Sequence, residues 1–309
     1  MSGTVKIAEM GAQSLIWTLI AVTGALDVAM FAAQGMNAVI SWRAVIYLAV
    51  LCALPKIVQR RCPPAGRLAG AFAQIFTFCE VGNRLTYAAM AASPFPLADG
   101  LLNRADAAIG FDWLAWFMWV KAHPALHFVL ANAYGSIPLQ VLVLFVYFAF
   151  RGGKRVDELV LATIFAIAIV IPVMVFFPAV GAWTEHGVGM VEPWRGDILA
   201  LRSHTLLTVD RTQGIVSFPS FHTTAAVLLV NMTRGSKWFL PMLVLNVLVI
   251  ASVMSEGAHY GVDMLSGLAV ACAAIAASRT ALVWCRRVKT SLAPSSVSGE
   301  APAARAVYL

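Results

Sequence analysis

The chain has 309 residues, of which 60% are hydrophobic and only 12% charged, with a mean hydropathy of +0.80. A soluble domain carries roughly a quarter charged residues, so this composition excludes a soluble enzyme, a disordered linker protein and a nucleic-acid binder with a charged surface. What remains is an all-α polytopic membrane protein, and the net charge of +7 suits a chain that collects Lys and Arg in cytoplasmic loops. At about 20 residues per span the length has room for roughly six to eight helices. Five cysteines, at 52, 62, 79, 272 and 285, form no CxxC pair. That argues against both a disulfide frame and a zinc site.

The first fourteen residues lack the charged, apolar and small-residue order of a cleaved signal. The first apolar run, roughly 13–34, therefore reads as a retained helix, and a second covers about 39–57. A basic loop with Lys56, Arg60, Arg61 and Arg67 leads to a third helix, about 68–92, which carries Glu80, Asn83 and Arg84 in an otherwise apolar sequence. The segment 93–125 holds turn residues and the stretch FDWLAWFMW, whose Trp113, Trp116 and Trp119 at helical spacing suit an interface anchor. Further helices are expected at about 126–150 and 157–178, then a loop of mixed charge over 179–213, then helices at about 216–233, 238–255 and 259–284. The polar tail after Lys289 reads as disordered. These runs give about eight transmembrane helices: two additional ones over 1–66, a six-helix catalytic core over 67–286, and a cytoplasmic tail over 287–309. There is no internal repeat.

Charge counting orients the chain. The loops at 56–67, 151–155 and 234–237 and the tail after 285 hold thirteen Lys/Arg, against five in the two long loops of the opposite side. Positive-inside then places both termini in the cytoplasm and the long loops outside, in a bacterial inner membrane with its chemistry facing the periplasm. All six histidines (123, 127, 186, 204, 222 and 259) fall in or beside the outer segments.

Two outer segments carry the chemistry, GIVSFPSFHTTAAVLL and SVMSEGAHYGVDMLSG. In the first, Pro219 opens a helix whose first turn holds Ser220, Phe221 and His222, and free N–H groups beside a hydroxyl make an anion cradle. In the second, Gly257 breaks the chain and His259 starts a helix with Asp263 one turn later on the same face. A carboxylate on one imidazole nitrogen fixes the tautomer and leaves the other free to attack, and the helix N-terminus keeps His259 neutral. Elsewhere, His123 and His127 have helical spacing but no third metal ligand, so they read as interfacial. Glu80 and Arg84, one turn apart, read as a mutual ion pair. Asp27 has no assignment.

The pair FPSFHT and GAHYGVD resembles the second and third signatures of the type 2 phosphatidic acid phosphatase superfamily. HPALHFVLANAYGSIPLQ and ALRSHTLLTVDRTQGIVSFPSFH are similar to its inositol-phosphorylceramide-synthase-like branch, and the likeness covers roughly 75–280. The resemblance implies a metal-independent, cofactor-free lipid phosphatase or phosphotransferase. His259 would form a phosphohistidine, Asp263 orient it, His222 protonate the leaving alkoxide and Ser220 bind a phosphate oxygen. The usual Arg six residues before the histidine is Val253 here, and the Lys and Arg-Pro signature is missing. Arg202 and Arg211 are then the expected phosphate ligands, with Arg84 next. The expected partner is a lipid phosphate or phospholipid headgroup at the outer leaflet. With water as acceptor the enzyme is a phosphatase; with an alcohol it is a headgroup transferase making a phosphosphingolipid or related glycolipid. A non-catalytic lipid-binding or transport protein on the same scaffold is the rival of another class.

Overall fold

A computed structural model describes residues 11–39 and 42–291. The expected disordered tail lies outside the described residues from 292 onward, as do the first ten residues. The described chain is almost wholly helical: α1 (Ala12–Ala33), α2 (Trp42–Gln59), α3 (Pro63–Ala92), α4 (Asp99–Ala108), α5 (Trp113–Ala122), α6 (Pro124–Gly135), α7 (Ile137–Ala149), α8 (Lys154–Phe176), α9 (Ala182–His186), α10 (Arg195–Arg202), α11 (Phe221–Thr233), α12 (Phe239–Glu256) and α13 (Gly261–Ser291). It is an all-α membrane bundle, as its composition requires.

Each apolar run coincides with a helix or a helix pair, but they do not all have the character of a full span. Helices α1, α8, α12 and α13 are long and apolar enough to cross a membrane. The run expected as one helix over 126–150 is the pair α6 and α7, bent by 50° and counting as a fifth span if taken together. The bend falls at Ser136, just before Ile137 and Pro138, where proline cannot supply the N–H that a straight helix needs. Helix α11 has only 13 residues. Helix α3 is long but interrupted by Arg67, Gln74, Glu80, Asn83 and Arg84.

The centre of the bundle is apolar. Phe78, Phe145, Leu159, Val160, Leu161, Leu228, Leu229 and Met232 from α3, α7, α8 and α11 form one buried cluster. Removing such side chains from water and lipid contact favours tight interdigitation. A second cluster, with Tyr87, Met90, Met174, Ile198, Leu201 and Ile215, seats α10 and the loop after it on α3. There the Tyr87 hydroxyl donates to Asp197 Oδ2 at 2.6 Å and accepts the Gln213 N–H at 3.1 Å. Two short strands, β1 (Asn37–Ala38) and β2 (Thr208–Val209), pair in parallel and tie the connection after α1 to the same loop.

The expected Glu80–Arg84 pair does not form. Arg84 Nε bonds Asp27 Oδ2 at 3.1 Å, joining α3 to α1, while Glu80 is exposed. An arginine and a carboxylate buried between two helices relieve each other's desolvation better than an exposed glutamate would. This also accounts for Asp27.

Candidate active site

The site is built where the N-termini of α11 and α13 meet. Ser220 is the N-cap of α11, its hydroxyl accepting the Thr223 N–H at 3.3 Å. Pro219, expected to open the helix, lies one residue before that cap, after a cis Phe218–Pro219 bond. Among the described residues the N–H groups of Phe221 and His222 have no hydrogen-bond partner, as in the first turn of any helix. The Ser220 N–H donates to the Asp263 carbonyl at 3.2 Å, and Thr224 Oγ1 donates to Gly267 O at 3.0 Å. These bonds need a close approach of α11 to α13. A Cβ at Gly267 would lie 2.6 Å from Ser220 O, so only glycine allows it.

His259 precedes the helix rather than starting it, since α13 begins at Gly261. The turn that carries it is tight. Ala258 has φ of 54°, a left-handed conformation unfavourable for a residue with a Cβ, and its carbonyl accepts the Ala182 N–H at 2.7 Å. His259 Nδ1 donates to Asp263 Oδ2 at 3.1 Å, and the same oxygen accepts the Tyr260 N–H at 2.9 Å. Both side chains are almost fully buried, at 4% and 0% exposed. Nδ1 being engaged, Nε2 is the nitrogen left to react. Burial lowers the His259 pKa to about 4, against a smaller opposing effect of a backbone hydrogen bond at Ser217, so the ring is neutral near pH 7. Desolvation, more than the helix dipole, sets that state.

His222 stands opposite. Its ring centroid is 6.2 Å from that of His259, inclined by 62°, and it stacks on Tyr134 at 4.2 Å. Two neutral-capable imidazoles on either side of a helix N-terminus can serve one tetrahedral phosphoryl group: one attacks and one moves a proton. The structure thus brings His222, His259, Asp263 and Ser220 together.

Arg202 donates one Nη to the Phe95 carbonyl, and Arg211 is exposed with no hydrogen bond or ion pair among the described residues. Neither bonds His222, His259, Ser220 or Asp263. Arg84 is held by Asp27. Lys121 Nζ lies 2.7 Å from His127 Nε2, which is 3.3 Å from Glu256 Oε1. Among the described residues no three His, Cys, Asp or Glu side chains are grouped so as to hold a metal.

Sequence reasoning missed the residues that hold the histidine turn from below. Asp106 on α4 accepts the N–H groups of Gly261 and Val262, each at 2.8 Å, and so caps α13 from another element. Burial raises the Asp106 pKa and these two bonds pull it back. Asp99, at the start of α4, accepts the N–H groups of Val180 and Gly181 and the Tyr260 hydroxyl at 3.0 Å. Trp113, read as an interface anchor, is 1% exposed and donates its indole N–H to the His259 carbonyl at 2.8 Å. Trp119 remains exposed, as an anchor should. No local spacing announces these contacts, because they join segments 81 to 161 residues apart in sequence.

A family model described as the PAP2 superfamily matches residues 101–277, more than half of the chain. No curated protein and no solved structure matches it.

Proposed function

The chain belongs to the PAP2 superfamily, and on that premise we propose that it cleaves the phosphate ester of a lipid phosphate or phospholipid headgroup through a phosphohistidine on His259. The observation that carries this reading is the buried His259–Asp263 hydrogen bond facing His222 across 6.2 Å. His259 Nε2 attacks phosphorus and Asp263 stabilises the imidazolium that develops. Burial holds the His222 pKa down to about 3. His222 therefore takes up a proton with the anionic substrate, whose charge favours the imidazolium, gives that proton to the departing alkoxide and then takes one from the acceptor. The Ser220 hydroxyl accepts from Thr223 N and keeps its own proton to donate to a phosphoryl oxygen, beside the free N–H groups of Phe221 and His222. With no arginine bonded into this set, these uncharged donors carry the oxyanion, and Arg202 and Arg211 would have to swing in on substrate binding to add to them. No metal takes part in the proposed steps. Positive-inside places the histidines at the outer leaflet of a bacterial inner membrane.

The two histidines should fail differently. His259→Ala removes the nucleophile, and turnover of every phosphate ester should fall by at least about 1,000-fold. His222→Ala leaves attack intact but strands a poor leaving group, so it should keep far more activity on an aryl phosphate than on an alkyl lipid phosphate. Phosphate release from both substrates, with trapping of labelled phosphate on the protein, reads this out. Label on His259→Ala, or equal loss on both substrates in both variants, overturns the assignment. Adding alcohols to the same assay separates a hydrolase from the transferase that the synthase-like stretches favour.

A further inference from the structure

The end of the bundle remote from the histidines holds a second constellation that the proposed chemistry does not use. Glu158 on α8 is buried, and its carboxylate accepts from Arg234, just past α11, and from Arg279 Nε on α13 at 3.0 Å. Arg279 also donates an Nη to Asn231 Oδ1 at 2.6 Å. Arg155, one turn before Glu158, donates an Nη to the Met232 carbonyl at 2.7 Å and lies within electrostatic range of both Arg234 and Glu158. Two guanidinium groups thus bond one carboxylate and a third lies within electrostatic range of it, a surplus of two positive charges. The neighbouring acid does not offset it, because Asp157 turns the other way to accept from Gln13 on α1 at 2.8 Å. A guanidinium has five N–H donors, and Arg155 uses only the one given to Met232 among the described residues.

The level of this cluster in the fold is fixed by length. Arg279 lies eighteen residues beyond Gly261 on α13, about 27 Å at 1.5 Å per residue, close to the roughly 30 Å of a bilayer's hydrocarbon core. The rings beside it agree with an interfacial depth. Arg155 lies over Phe148 at 5.3 Å, Arg151 over Tyr147 at 4.5 Å and Lys237 over Trp238 at 5.8 Å, with Tyr147 and Trp238 in edge contact. Cations on aromatic rings at that depth face headgroups rather than tails. Arg279 and Arg234 remain 48% and 37% exposed, so a ligand can reach them.

We propose that Arg155, Arg234 and Arg279 form a binding site for the phosphate of an anionic phospholipid in the leaflet opposite the histidines. Arginine forks match phosphate oxygens in pairs, and the lipid would supply the charge that Glu158 alone does not. The site joins α8, α11 and α13; at their other ends α11 carries His222 and α13 follows directly on His259 and Tyr260.

Full-length protein in mild detergent, incubated with phosphatidylglycerol or with zwitterionic phosphatidylcholine, tests this by native mass spectrometry of bound lipid. Phosphatidylglycerol should be retained at least about fivefold better, and millimolar inorganic phosphate should not displace it. Arg155→Gln removes a charge without breaking a bond to Glu158 and should weaken phosphatidylglycerol binding about fivefold, as expected for one interfacial arginine. Arg155→Lys should restore only part of it, because an ammonium keeps the charge but not the fork, and Arg279→Gln should act like Arg155→Gln. Equal retention of the two lipids, or unchanged binding in Arg155→Gln, overturns the site. Displacement by inorganic phosphate overturns the lipid assignment in favour of a free anion.

Discussion

The two ends of the bundle bury carboxylates by opposite means. At the histidine end, Asp99 and Asp106 are satisfied by backbone N–H groups and a tyrosine hydroxyl, and Asp263 Oδ2 accepts from one backbone N–H and one imidazole while its Oδ1 has no partner among the described residues. At the other end, Glu158 is satisfied by two arginines. Backbone donors are fixed by the fold, carry no net charge and hold geometry to within tenths of an ångström. Arginines neutralise charge but bring long side chains and a surplus that must find a further anion. A site that must place one imidazole nitrogen against phosphorus uses the first device, and an interface that must hold helices together uses the second. A buried carboxylate therefore does two jobs, set by what surrounds it.

That contrast can be broken first at Glu158. Replacing it with Ala removes the carboxylate from Arg234 and Arg279, which are partly exposed and can turn to water, so unfolding should become easier by about 3 kcal/mol. Activity of the protein that remains folded should stay within a few-fold of wild type. Thermal unfolding in detergent beside an ester-cleavage assay measures both. A 100-fold loss of activity in folded protein would show that the two ends are not separable in this way.

A smaller effect should appear in the pH dependence of stability. The folded His259 pKa is held near 4 by burial, below the usual 6.5 of an exposed ring. The folded state therefore refuses a proton that the unfolded chain accepts. Stability from this residue is full above about pH 6.5, falls as pH drops from there toward 4, and changes no further below that. The loss is at most about 3 kcal/mol. His259→Asn should flatten the unfolding profile between those two values, and an unchanged slope would place the titrating group elsewhere.

The smallest change sharpens the role of Asp106. Asp106→Asn keeps one acceptor but turns an amide toward a backbone N–H, at a cost of about 1–3 kcal/mol. Because Gly261 and Val262 follow His259 by two and three residues, the shift should also lower turnover by roughly tenfold through misplacement of the imidazole. Measured kcat falling while KM holds would mark a positioning role. A stability loss with unchanged kcat would make Asp106 a structural cap only.

The amino-acid sequence by itself determined the membrane class, the run of helices and the pairing of His259 with Asp263. Hydropathy is a property of composition, and an i, i+4 contact depends only on local chain geometry. It also marked FPSFHT and GAHYGVD as neighbours in chemistry. Tertiary structure alone decided that Arg84 meets Asp27 rather than Glu80, that Trp113 reaches the His259 carbonyl, and that Asp106 caps α13. It also left Arg202 bound to Phe95 and the second long loop seated on α3. The physical reason is the same in each case. A contact between distant elements is chosen by which packing satisfies buried polar groups together, and that choice is made among whole helices and leaves no spacing in the sequence.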